Sequence, residues 1–239
     1  MPTAHMSRAE ATRRRLVAIR FAVLGTALGL TIASVMLLTP FATSGFVVQI
    51  LISVPLLASL YVLSDSRPLV LLMGAAIIVL SVLAVLFANR GDAWLLILDT
   101  GLRACALAGV TWWIAVEVVG EVRISLDTIL GGICIYLLLG FFYAHVYVML
   151  ELADPRALLA AGQPLAELTS EHPLKAVAAI VYYGYATLTT VAYGDIVPVS
   201  PLARFVAISE AMVGQLFPTI FIARLVSLNV AQMGSSSDS

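Results

Sequence analysis

Long apolar runs alternate with short polar connectors along most of the chain. Leu16 to Leu38, Phe46 to Leu63, Leu69 to Ala88, Ala93 to Val116, Leu126 to Leu150 and about Leu202 to about Val230 are six such runs. A membrane-spanning helix needs roughly 20 mostly apolar residues, so each run predicts one span. The connectors TPFATSG, SDSRP and NRGD hold the Pro, Gly, Ser and charged residues that end helices. Between the fifth and sixth runs the pattern breaks. A polar stretch, ELADPRALLAAGQPLAELTSEHP, leads into an apolar segment from Leu174 to Leu188, and TTVAYGDIVPVS follows it. That segment is too short to span and predicts a re-entrant helix.

Composition agrees with this pattern. The chain is 61% apolar and 11% charged, against about 45–50% and about 25% for soluble domains. The expected fold is an all-α membrane protein with six transmembrane helices, a re-entrant pore helix and a filter loop. A net charge of −1 gives no electrostatic reason to expect a nucleic-acid partner. With the N-terminus inside, Arg8, Arg13, Arg14, Arg15, Arg20, Arg67, Arg123 and Arg224 fall near the cytoplasmic side, and Arg90, Arg156, Lys175 and Arg204 outside. This asymmetry predicts a multi-pass cell-membrane protein with both termini cytoplasmic. The expected division is a basic N-terminus at 1–15, a four-helix peripheral domain at 16–123, a pore domain at 124–232 and a disordered tail at 233–239. No ligand-binding cytoplasmic domain is expected after the sixth helix.

Non-helical backbone at membrane depth is tolerated only where it is buried in protein or lines a water-filled path. A polar loop between a half-length helix and a full one therefore points to a pore. The segment TLTTVAYGDIVP resembles the signature of the tetrameric potassium channel family, whose pore unit is outer helix, pore helix, TVGYG filter and inner helix. The resemblance covers about Leu126 to Val230. It implies a homotetramer in the lipid bilayer that passes potassium ions by replacing their water shell with protein oxygens. By the same resemblance, Thr190, Val191, Ala192, Tyr193 and Gly194 form the filter. The carbonyls of Thr190, Val191, Ala192 and Tyr193, with the Thr190 hydroxyl, are its potassium ligands, while Val191 and Tyr193 point back toward the pore helix. Asp195 supports the filter from behind, with the Tyr182 hydroxyl as its donor. The second carboxylate that some members carry is replaced by Ala186.

Ala192 departs from the family's glycine. Alternation between ordinary and left-handed backbone turns successive carbonyls to one side, and a residue with a Cβ resists the left-handed conformation by about 1–2 kcal/mol. The resemblance therefore implies impaired conduction or selectivity through loss or rotation of one carbonyl ring. The alternative is a non-conducting or weakly selective channel-like subunit. Gly214 matches the family's hinge glycine, and Pro218 four residues later weakens the same stretch of helix. Glu210 is costly at membrane depth and is expected to face protein or water near the filter.

The fourth run lacks the repeated basic residues of a voltage sensor and has Arg103 alone. Asp99, four residues earlier on the same helical face, is its expected partner. His145 is expected to be a hydrogen-bonded packing residue, Trp112 and Trp113 interfacial anchors, and Cys105 and Cys134 unpaired thiols. Glu151, Asp154, Glu167, Glu171 and Asp195 are expected to make the outer mouth acidic. No Ser/His/Asp set, HExxH or phosphate-cradling Gly loop occurs. No enzymatic activity, cofactor or bound metal other than permeant potassium is expected.

Overall fold

The computed structural model describes residues 8–38, 53–59, 75, 79, 93–121, 124–169 and 173–237. The helices are α1 (Arg8–Leu38), α2 (Ala93–Gly120), α3 (Leu126–Ala153), α4 (Leu165–Thr169), α5 (Pro173–Leu188) and α6 (Pro201–Ser237). Three short strands are β1 (Leu158–Ala160), β2 (Gln163–Pro164) and β3 (Ile196–Pro198). Among the described residues four stretches are long and apolar enough to cross a bilayer: Arg20–Leu38, Trp94–Gly120, Leu126–Ala153 and Pro201–Val230. They coincide with the expected first, fourth, fifth and sixth spans. Of the expected second span, residues 53–59 are helical, and the rest lies outside the described residues. So does the third, apart from positions 75 and 79.

Helix α3 is the centre of the arrangement and packs against α1, α2, α5 and α6. Its start is fixed locally, because the Ser125 side chain caps the helix by accepting the Thr128 N–H at 3.3 Å. Helix α2 turns Leu107, Val110, Ile114 and Val118, spaced by three and four residues, toward Phe21, Leu24 and Leu28 of α1 and Ile135, Leu138 and Phe141 of α3. A second cluster joins Val35, Tyr143, Tyr147, Leu158, Val181, Ile196 and Ala203, and so ties α1 and α3 to α5, the strands and α6.

The helical architecture agrees with the expected all-α membrane fold, and the polar stretch after α3 adds a small sheet to it. Strands β1, β2 and β3 form an antiparallel sheet in the order β2-β1-β3, with Ala160 opposite both Gln163 and Ile196. Ala161 and Gly162, at φ 50° and 80°, make the two-residue turn between β1 and β2. Positive φ at both turn positions matches the strand twist of a tight hairpin. The buried Glu151 carboxylate accepts the Leu158 N–H at 2.7 Å and anchors the start of β1. Glu151 thus faces inward, which removes it from the acids expected at the outer mouth. Helix α6 continues to Ser237 into the tail expected to be disordered, and α1 begins at Arg8 inside the expected basic N-terminus. In both places helical hydrogen bonding propagates beyond the apolar run, since extending a formed helix costs far less than starting one.

Candidate functional site: the filter loop and its supports

Helix α5 ends at Leu188, and the chain then folds back onto the carbonyls that the helix leaves open. The Thr189 N–H donates to Tyr185 O at 3.0 Å and the Thr190 N–H to Thr187 O at 2.9 Å. Both the Val191 and Ala192 N–H groups donate to Ala186 O, at 2.9 and 3.2 Å. Residues 189–192 are therefore fastened to the C-terminal end of α5, where the helix dipole is negative and favours cations.

Within that segment the backbone alternates. Thr190, Ala192 and Gly194 have φ of 59°, 44° and 79°, whereas Val191 and Tyr193 stay in the ordinary range. Ala192 therefore stays in the left-handed region, and the Cβ strain is borne rather than avoided. Thr190, branched at Cβ, is a second strained position.

The side chains between these positions turn to one side. Val191 and Tyr193 share a cavity of about 270 Å³ with Val181, Tyr182, Tyr185 and Ala186 of α5 and with Ile32 and Met36 of α1. The Tyr193 ring stacks on Tyr182, with centroids 6.4 Å apart and planes 8° from parallel. The Tyr182 hydroxyl faces the Asp195 carboxylate. The structure thus brings Thr190 to Asp195 and Tyr182 together in one site.

Gly214 and Pro218 lie beneath it on α6. Gly214 is buried, and a Cβ there would stand 1.8 Å from the Leu188 carbonyl oxygen. The same oxygen accepts the Tyr136 hydroxyl of α3 at 3.1 Å. Gly214 is first of all a close-packing position against the end of α5. Pro218, inside α6, has no N–H to donate to Gly214 O four residues earlier, so the pair weakens one turn of helix.

Hydroxyl groups that sequence alone did not single out complete the support. The Tyr185 hydroxyl donates to Leu137 O at 2.7 Å, and its ring fits because Gly140 of α3 has no Cβ, which would lie 2.4 Å from the ring. Glu210 is fully buried, accepts the Tyr147 hydroxyl at 2.7 Å, and stands next to Gly184 of α5. This agrees with the expected protein-facing position. On the other side of the site, the Gln215 amide donates to the Thr190 hydroxyl at 2.8 Å. Neither Gln215 nor these tyrosines carries a sequence signal, because each contact depends on how two helices are rotated against each other.

The other residues singled out in the sequence lie on α2 and α3. Arg103 and Asp99 form a buried ion pair at 3.1 Å, one turn apart. His145 Nδ1 donates to Phe141 O at 2.8 Å. Cys105 and Cys134 are free thiols, and Trp112 and Trp113 are exposed. The end of α2 is joined to α6 by Arg224, whose guanidinium donates to the Val119 and Glu121 carbonyls.

Comparison with known proteins bears on the same segment. Residues 133–231 match the family described as "Ion channel". Protein LctB of Bacillus caldotenax is 30% identical over 127 residues, which cover 53% of this chain and 91% of that protein. Protein LctB of Geobacillus stearothermophilus is 31% identical over 130 residues, covering 52% of this chain and 88% of that protein. No solved structure matches the chain.

Proposed function

The chain belongs to the ion-channel family, and on that premise we propose that it passes potassium ions passively through a pore built from four copies of itself. The observation that carries the proposal is the alternation of left-handed and ordinary backbone through Thr190, Val191, Ala192, Tyr193 and Gly194. Such alternation suits a strand that offers successive carbonyls to one axis. A potassium ion must exchange its water for oxygens from several strands at once, and one chain supplies a single strand. Thr190, Val191, Ala192 and Tyr193 are the proposed ligands. Tyr182 and Asp195 hold the loop from behind.

Assembly is supported by α6, which leaves Leu202, Phe205, Ile208, Met212, Leu216 and Ile220 exposed beside the filter. A second copy packed there would cover them and bring another filter strand to the axis. The proposed orientation has both termini in the cytoplasm, with 124–232 as the pore domain and 16–123 as a peripheral domain. Gating bends α6 at Pro218, with the Gly214 contact as its fulcrum.

A second reading, a weakly selective or non-conducting channel-like subunit, is favoured by one observation: Ala192 is held at φ 44°. The test is potassium and sodium flux into liposomes holding the purified protein, with particle mass measured in mild detergent. Potassium-selective flux from a four-subunit particle is expected. A particle of one or two subunits would overturn the proposal, and an intact four-subunit particle without flux would favour the second reading.

A further inference from the structure

Thr190 is the filter residue nearest α6, and its hydroxyl is committed on two sides. It donates to Thr189 O at 2.7 Å and accepts from the Gln215 amide at 2.8 Å. A hydroxyl has one hydrogen and two lone pairs. With the hydrogen given to Thr189 and one lone pair to Gln215, a single lone pair remains, and its direction is set by the other two bonds.

We propose that Gln215 orients the Thr190 hydroxyl and so sets the affinity of the innermost cation site of the filter. The inference rests on the filter assignment made above and adds a positioning residue on the inner helix. Gln215 reaches Thr190 because Gly214 lets α6 press against Leu188 O, where any Cβ would collide. An apolar side chain at position 215 would leave the hydroxyl held by the Thr189 bond alone, and a shorter amide would fall short of it. Four copies around an axis would place four amides under the filter, each donating to its own threonine. The amide keeps the hydroxyl oxygen aimed, so its removal exchanges a ligand fixed by two bonds for one fixed by a single bond.

The test uses the intact protein and barium, a divalent cation close to potassium in radius, as the probe. Barium applied from the cytoplasmic side of planar bilayers meets the site nearest Thr190 first. Gln215→Leu and Gln215→Asn should each raise the half-blocking barium concentration about fivefold, the factor that corresponds to one hydrogen bond of ordinary net strength. In a Thr190→Val background, Gln215→Leu should change nothing further, since the cycle then lacks its partner. If the protein conducts potassium and neither Gln215 variant moves the block, the role of Gln215 is overturned and the channel function stands. If the unmodified protein does not conduct, the proposed function fails, and barium binding measured by calorimetry on the detergent-solubilised protein decides the role of Gln215. Affinity that falls in Gln215→Leu and Gln215→Asn supports it, and equal affinity overturns it. Should Gln215→Leu fail to assemble, the polar Gln215→Asn carries the comparison.

Discussion

Gly214 and Leu188 meet backbone to backbone: a Cβ on Gly214 would lie 1.8 Å from the Leu188 oxygen and 2.7 Å from its carbonyl carbon. Neither group is the far end of a flexible side chain, so one of the two helices must shift to admit a methyl group. Gly214→Ala should therefore cost about 1–3 kcal/mol per subunit, as overpacking generally does. The expected readout is a lower melting temperature of the detergent-solubilised protein. A glycine used only as a hinge would behave otherwise: alanine would reduce opening and leave the melting temperature unchanged.

Ala192 is strained where glycine would not be. At φ 44° the Cβ costs about 1–2 kcal/mol. Ala192→Gly is expected to raise both thermal stability and potassium conductance, and Ala192→Val to lower both. Melting curves and liposome flux on the three proteins check this. Equal melting temperatures for the unmodified protein and the Ala192→Gly variant would mean that the strand carries no strain there.

The Tyr147 hydroxyl is the donor to the fully buried Glu210. Tyr147→Phe removes that donor, and an unsatisfied buried group costs about 1–3 kcal/mol, more if it is charged. Thermal unfolding should show the loss. Adding Glu210→Leu in the Tyr147→Phe background should recover part of it, because both polar partners are then gone. Failure of the double variant to exceed Tyr147→Phe would show that Glu210 has another donor.

Arg103 is held by Asp99 inside the protein, so it does not act as a mobile gating charge. Conductance should vary weakly with voltage. A curve as steep as three or four charges per subunit require, at about 2.3 kcal/mol per charge per 100 mV, would contradict this. Asp99→Asn should destabilise the protein more than it alters any voltage dependence.

How much of this could be seen in the sequence depended on how local each feature is. The half-length helix and the non-helical loop after it could, because the apolar run from Leu174 stops at Leu188 and the polar TTVAYGD follows at once. The Asp99–Arg103 pair could too, since i and i+4 face each other on any helix. The sheet could not: its strands are too short to show alternation, and its turn uses Ala161 where Asn or Gly would be expected. Glu151 looked like a surface acid because nothing near it in sequence announces the Leu158 N–H that it accepts. The Gln215–Thr190 bond depends on the rotation of α6, which is fixed by the Gly214 contact and not by any local pattern.

The pairing of β1 with β3 has a mechanical consequence. Ala160 lies opposite Ile196, two residues after Gly194, so the ladder works as a ruler that sets how far the 190–194 loop projects from α3. A slip of one residue would displace the strand by about 3.3 Å and turn Ile196 from the core toward solvent. Because Ile196 is buried, such a slip is penalised at once. The height of the 190–194 loop is thereby quantised by strand register, and a length change in the hairpin would be transmitted to that loop without altering any of its residues.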